Sequence, residues 1–101
     1  MKQTMVKKLF VQRASLLKEV AARPGFIRGS LIRTTRAGKD GTRREFRFLS
    51  RRIAGVNHST YVTIKQVRAF EAATRMYRQT AVIIEKICTI NIRIIRAGGK
   101  P

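Results

Sequence analysis

Arg33, Arg36, Lys39, Arg43, Arg44, Arg47, Arg51 and Arg52 place eight cations within twenty residues of a 101-residue chain. Seven of the eight are arginine. Its planar guanidinium can bond phosphate oxygens or a guanine edge through two parallel hydrogen bonds, whereas lysine offers a point charge. The chemistry such a run can do is anion recognition. His58, the one histidine, falls beside expected turn residues and reads as a solvated or phosphate-contacting imidazole. Catalysis has little to work with. One aspartate, Asp40, and one histidine do not supply a Ser-His-Asp triad or a carboxylate metal cluster. One cysteine and one histidine cannot complete a four-ligand zinc site, and a lone cysteine forms no intrachain disulfide. Gly38-Lys39 lacks both the upstream glycine and the following hydroxyl of a Walker loop, so it reads as a turn. The expectation is a protein with no enzymatic activity, no cofactor and no metal.

The whole chain shares the sign of that run. Twenty-three Lys and Arg face five Asp and Glu, for a formal net charge of +18 and a pI near 11.8. Charged residues make up an ordinary 28% and hydrophobic ones 44%, enough for a modest core. The anomaly is therefore the imbalance of sign, which implies strong self-repulsion unless a polyanion is present. Residues 23–60 are densest, with ten bases against two acids. Nucleic acid is the expected partner, ahead of an anionic membrane or an acidic protein. DNA and RNA are not separable here, because phosphate contacts are common to both. Ala81-Val82-Ile83-Ile84 is far shorter than the roughly 20 residues of a membrane span, and lysines interrupt the N-terminal apolar residues. A cytoplasmic protein associated with nucleoid or ribonucleoprotein, without a membrane partner, is expected.

These residues need elements to position them. Val6, Leu9, Phe10, Leu16, Leu17 and Val20 recur at helical spacing, and Arg23-Pro24-Gly25 stops the pattern, which predicts a helix over about 3–22. Residues 26–63 carry β-branched runs separated by Gly38, Asp40-Gly41 and Gly55-Val56-Asn57, which predicts an antiparallel meander of two or three strands. Phe46 and Phe48 share one strand face, where they can either pack on a helix or stack bases. Thr63 and Gln66 have capping-box spacing, and Gly98-Gly99 supplies a stop, so a long helix is expected over about 64–97. The fold expected is α+β in a single domain over 1–101, with the first helix packed on the last. At roughly 1.5 Å per residue the last helix spans about 48 Å, twice what the first can cover. Ile84, Ile87, Asn91 and Ile94 fall on a heptad seam that Ile83 and Ile90 widen. That surface is expected to form a homo-oligomer or to dock in a larger complex. Asn91 either fixes register there or faces solvent, and Cys88 reads as a small core residue.

The stretch Ala37-Gly38-Lys39-Asp40-Gly41-Thr42-Arg43-Arg44 resembles a Cys-Gly-Lys-x-x-Cys-x-Cys knuckle. That knuckle marks a family of short uncharacterised bacterial and archaeal proteins, some linked to transposase genes. The resemblance continues through Phe48-Leu49-Ser50-Arg51-Arg52, Gly55, Ser59-x-Tyr61-Val62 and Asn91, about two-thirds of the chain. It implies nucleic-acid handling on mobile elements. Ala37, Thr42 and Arg44 stand where the family has cysteines, so no metal role carries over.

Together these features predict a non-catalytic nucleic-acid-binding protein that contacts phosphates through an arginine-rich hairpin. Two alternatives stay open: a structural RNA-binding subunit of a ribosome-like particle, and a protein–protein adaptor using the isoleucine-rich helix.

Overall fold

The computed structural model describes residues 2–101 and orders them as α1 (Lys2–Ala21), β1 (Ser30–Ala37), β2 (Arg43–Ile53), β3 (Val56–Val62), a 3₁₀ turn (Ile64–Gln66) and α2 (Val67–Arg96). The class is α+β. The chain divides into two compact units, one made of α1 with Arg78–Pro101 and the other of Phe26–Tyr77.

In the helical unit, Leu9 of α1 is buried with Ile90 and Ile94 of α2, and Phe10 and Leu16 pack against them. Three residues of the expected oligomer seam are thus covered within the chain. Ile83, Ile90 and Ile94 are only 8%, 8% and 0% exposed within the single chain. The observed seam runs through Thr80, Ile83, Ile87, Ile90 and Ile94, an alternating three-four spacing that keeps Ile87 and Ile94 of the expected one and takes Ile83 and Ile90 in place of Ile84 and Asn91. The apolar stripe of α1 falls against Ile90 and Ile94, so that part of the surface expected to need a second copy is covered internally. Asn91 is likewise engaged within the chain, where its Oδ1 accepts a 2.9 Å hydrogen bond from Arg13 Nη1. The Arg13 guanidinium also lies 4.7 Å from the centre of the Phe10 ring. Ile84, Ile92 and Ile95 remain exposed, as do Cys88, expected in the core, and Leu17, expected on the apolar face of α1.

Gly98 ends α2 as expected. Its φ of +87° lets Gly98 N–H reach the Ile95 carbonyl at 3.0 Å and Gly99 N–H reach the Ile94 carbonyl at 2.9 Å, a Schellman cap. Thr80 is the one discordant residue of the seam. It is fully buried and its Oγ1 has no hydrogen-bond partner. Leaving a buried hydroxyl unpaired costs about 1–3 kcal/mol, and valine has nearly the same shape. Thr80→Val is therefore expected to stabilise the chain by about 1 kcal/mol, read as a raised urea midpoint with an unchanged slope.

In the sheet unit the strands form an antiparallel meander in the order β1-β2-β3. Ile53 pairs with Val56, so the β2–β3 turn is the two residues Ala54-Gly55. Their φ values of +50° and +80° give the mirror-image turn that matches strand twist. The turn expected over Gly55-Val56-Asn57 is thus displaced. Val56 and Asn57 already belong to β3, because a two-residue turn of this kind is closed by its second residue, Gly55. At the other end, a Cβ on Gly29 would lie 2.9 Å from both Leu49 Cδ1 and Arg51 Cγ, so the chain can cross β2 there only as glycine.

Leu31, Arg33, Arg47, Leu49 and Val62 share one face of the sheet by register. Leu49 and Val62 are 3% and 2% exposed, and Leu31, Arg33 and Arg47 line a small cleft with Val67 and Glu71 of α2. The segment before β1 is tied to the same helix by Ile27 N–H bonding the Ala73 carbonyl at 3.0 Å. The capping box expected at Thr63 does not form. Gln66 N–H is already taken by the Thr63 carbonyl in the 3₁₀ turn, and the Thr63 hydroxyl instead bonds Gln66 Oε1 at 3.1 Å. Among the described residues, no helix is long and apolar enough to cross a membrane.

Candidate nucleic-acid interface

The register sorts the cations of the hairpin onto two faces. Arg33, Arg43, Arg47 and Arg51 stand on the face that turns toward α2, and Arg36, Arg44 and Arg52 on the opposite, open face. Lys39 is exposed in the β1–β2 loop. The two groups differ in what already holds them. On the helix side Glu45 accepts from Arg47 at 2.9 Å and lies 3.8 Å from Arg33. Arg51 Nε donates to the Arg28 carbonyl at 2.8 Å, and Arg28 returns a bond of 2.7 Å to the Arg52 carbonyl. Arg47 and Arg51 of the expected contact set are therefore half-buried and already engaged within the chain. His58 is not beside the turn but within β3, opposite Arg51, and so on the helix-side face.

The open face has a different composition. Its residues are Ser30, Ile32, Thr34 and Arg36 of β1, Arg44, Phe46, Phe48, Ser50 and Arg52 of β2, and Asn57, Ser59 and Tyr61 of β3. No carboxylate is among them. Phe48 sits between Ile32 and Tyr61 on the neighbouring strands, and Phe46 lies two residues further along β2. Phe46 and Phe48 are half-buried, Ile32 is 40% exposed and Tyr61 is 65% exposed. The Arg36 guanidinium is 5.8 Å from the Phe46 ring centre, within cation–π range. Thr34, Arg36, Phe46, Phe48, Ser59 and Tyr61 together line a shallow depression built from the three strands. Of the two readings left open for the phenylalanines, packing on the helix is the one the register excludes. Leu31, Leu49 and Val62 occupy that side instead.

A network of short bonds shapes the hairpin loop at the end of this face. Gly38 N–H donates to the Thr42 carbonyl at 2.6 Å and Gly41 N–H to the Gly38 carbonyl at 3.1 Å. The Asp40 carboxylate accepts the Thr42 hydroxyl at 2.6 Å and the Thr42 N–H at 3.2 Å. The Thr42 hydroxyl, then backbone N–H groups, hold Asp40 below the usual carboxylate range. A lowered value means the ionised form is the one the loop favours. Its contribution is complete above the ordinary carboxylate range and is lost only as pH falls through the lowered value, so the loop keeps its shape at neutral pH. Thr42 thus closes the loop by hydrogen bonds. Among the described residues no three His, Cys, Asp or Glu are grouped to hold a metal.

No protein-family model, curated protein or solved structure matches the chain.

Proposed function

We propose that this chain is a non-catalytic nucleic-acid-binding protein whose affinity comes chiefly from phosphate neutralisation by the β-hairpin. The observation that carries this reading is the open sheet face, whose strands place Arg36, Arg44 and Arg52 on it and no carboxylate; Asp40 of the adjoining loop, which lines a pocket with Arg36 and Arg44, is bonded to Thr42. Phosphates approaching that face would meet guanidinium groups that form no ion pair with a strand carboxylate, on a chain of net charge +18. Lys39, exposed in the β1–β2 loop, extends the contact. A mobile-element setting, implied by the resemblance of the hairpin, is one context for such binding, and a ribonucleoprotein subunit is the other.

Protein prepared at low salt is expected to carry absorbance at 260 nm that a high-salt wash removes. Treating parallel samples with DNase or RNase then identifies the polymer and decides between the two contexts. Protein that emerges free of nucleic acid at low salt, and shifts neither a labelled DNA nor a labelled RNA, would exclude the proposal and return attention to the adaptor alternative.

A further inference from the structure

Within that nucleic-acid reading, on which this step rests, we infer that the open face of the sheet is a stacking platform for unpaired bases of single-stranded RNA. Three aromatic rings, Phe46, Phe48 and Tyr61, stand on one face of two adjacent strands, the phenylalanines two residues apart along β2 and Phe48 directly paired with Tyr61 of β3. They are not needed for the core of their unit, which Leu49 and Val62 fill on the opposite face. Leaving rings partly in water forfeits burial, so their grouping calls for an occupant. Its chemistry follows from what surrounds them. Arg36 and Arg44 at one end and Arg52 at the other fit a polyanion, while the rings between them fit flat apolar surfaces. A nucleic-acid strand with exposed bases combines both. A duplex does not, because its bases present only their edges and a ring cannot reach their faces. A sheet platform of this kind takes about two or three bases. The hydroxyls of Thr34 and Ser59 line the same depression as the rings. A ribose 2′-hydroxyl, both donor and acceptor, is the group they are suited to meet, which points to RNA over DNA.

The test is fluorescence anisotropy with a labelled single-stranded RNA of about 12 nucleotides, its duplex form, and the DNA strand of the same sequence. Wild type is expected to bind the RNA strand more tightly than either of the others. Tyr61→Ala removes the most exposed ring, and Phe46→Leu removes a ring face while keeping an apolar side chain, so neither depends on a disrupted core. Circular dichroism confirms that each variant is folded. Each is expected to bind single-stranded RNA about 5- to 150-fold more weakly, with duplex binding unchanged and the same salt dependence, since no charge is lost. Wild type that binds duplex as tightly as single strands, or variants that keep full single-strand affinity, would overturn the platform while leaving phosphate binding by the hairpin intact. Equal affinity for the DNA strand would overturn the choice of RNA. Absence of binding to every nucleic acid would remove the underlying reading as well.

Discussion

Raising the salt from 50 to 200 mM is expected to weaken duplex binding by about a thousandfold, and single-strand binding by only about 50-fold. Both figures come from counting cations. Arg33, Arg36, Lys39, Arg43, Arg44 and Arg52 are the exposed cations of the hairpin. Contact by all six would give a log–log slope of about −5 on duplex, at roughly −0.9 for each phosphate. A single strand lying along the open face meets Arg36, Lys39, Arg44 and Arg52, and single strands release fewer counterions per contact. Its slope is then about −3. The difference has a practical consequence: any preference for single strands should widen as salt rises, because a larger part of that affinity is stacking and does not depend on ions. Titrations at four or five salt concentrations measure both slopes. Slopes near zero would remove electrostatics as the source of affinity and favour the adaptor reading.

Much of the fold is legible in the residues, and the parts that are not share one cause. The helices follow from apolar spacing and from Pro24-Gly25 and Gly98, which stop the chain where backbone geometry requires it. The strands follow from β-branched runs. What periodicity does not supply is a choice between two apolar faces of the same element. On β2, Phe46 and Phe48 alternate with Leu49, and size alone favours burying the rings. The helix-side face instead takes Leu31, Leu49 and Val62, one from each strand, with Leu31 directly opposite Leu49. The same ambiguity affects α2. Ile83, Ile90 and Ile94 make one stripe, and Ile84 and Ile95 a second, one residue and therefore about 100° around the helix. Both satisfy an apolar repeat, and only packing with α1 distinguishes them. The alignment of the three rings follows from the turn position. Placing the turn at Ala54-Gly55 pairs Phe48 with Tyr61 by counting outward, and the four-residue alternation from Phe46 then aligns the rings on one side.

The sorting of arginines by face yields the sharpest prediction. Replacing Arg36, Arg44 and Arg52 together with glutamine is expected to weaken binding of single-stranded nucleic acid about 100-fold at 0.1 M salt and to flatten the salt slope by about 2. Each phosphate contact on a single strand contributes roughly a factor of five at that salt concentration, and three are removed. The matched control is Arg33→Gln, Arg43→Gln and Arg47→Gln, which subtracts the same charge from the other side of the same hairpin. Two of those three already lie near Glu45, at 3.8 and 2.9 Å, so their charge is partly answered within the chain. Their loss should therefore act only at a distance, through the general field, and weaken binding by no more than about fivefold. Neither triple variant should unfold. Five of the six positions are exposed and Arg47 is half-buried beside Glu45, where glutamine can still donate, and subtracting charge from a chain of net +18 relieves repulsion. Equal losses from the two triples, with both proteins folded by circular dichroism, would mean that the strand reads only the net charge of the hairpin and that neither face is a site.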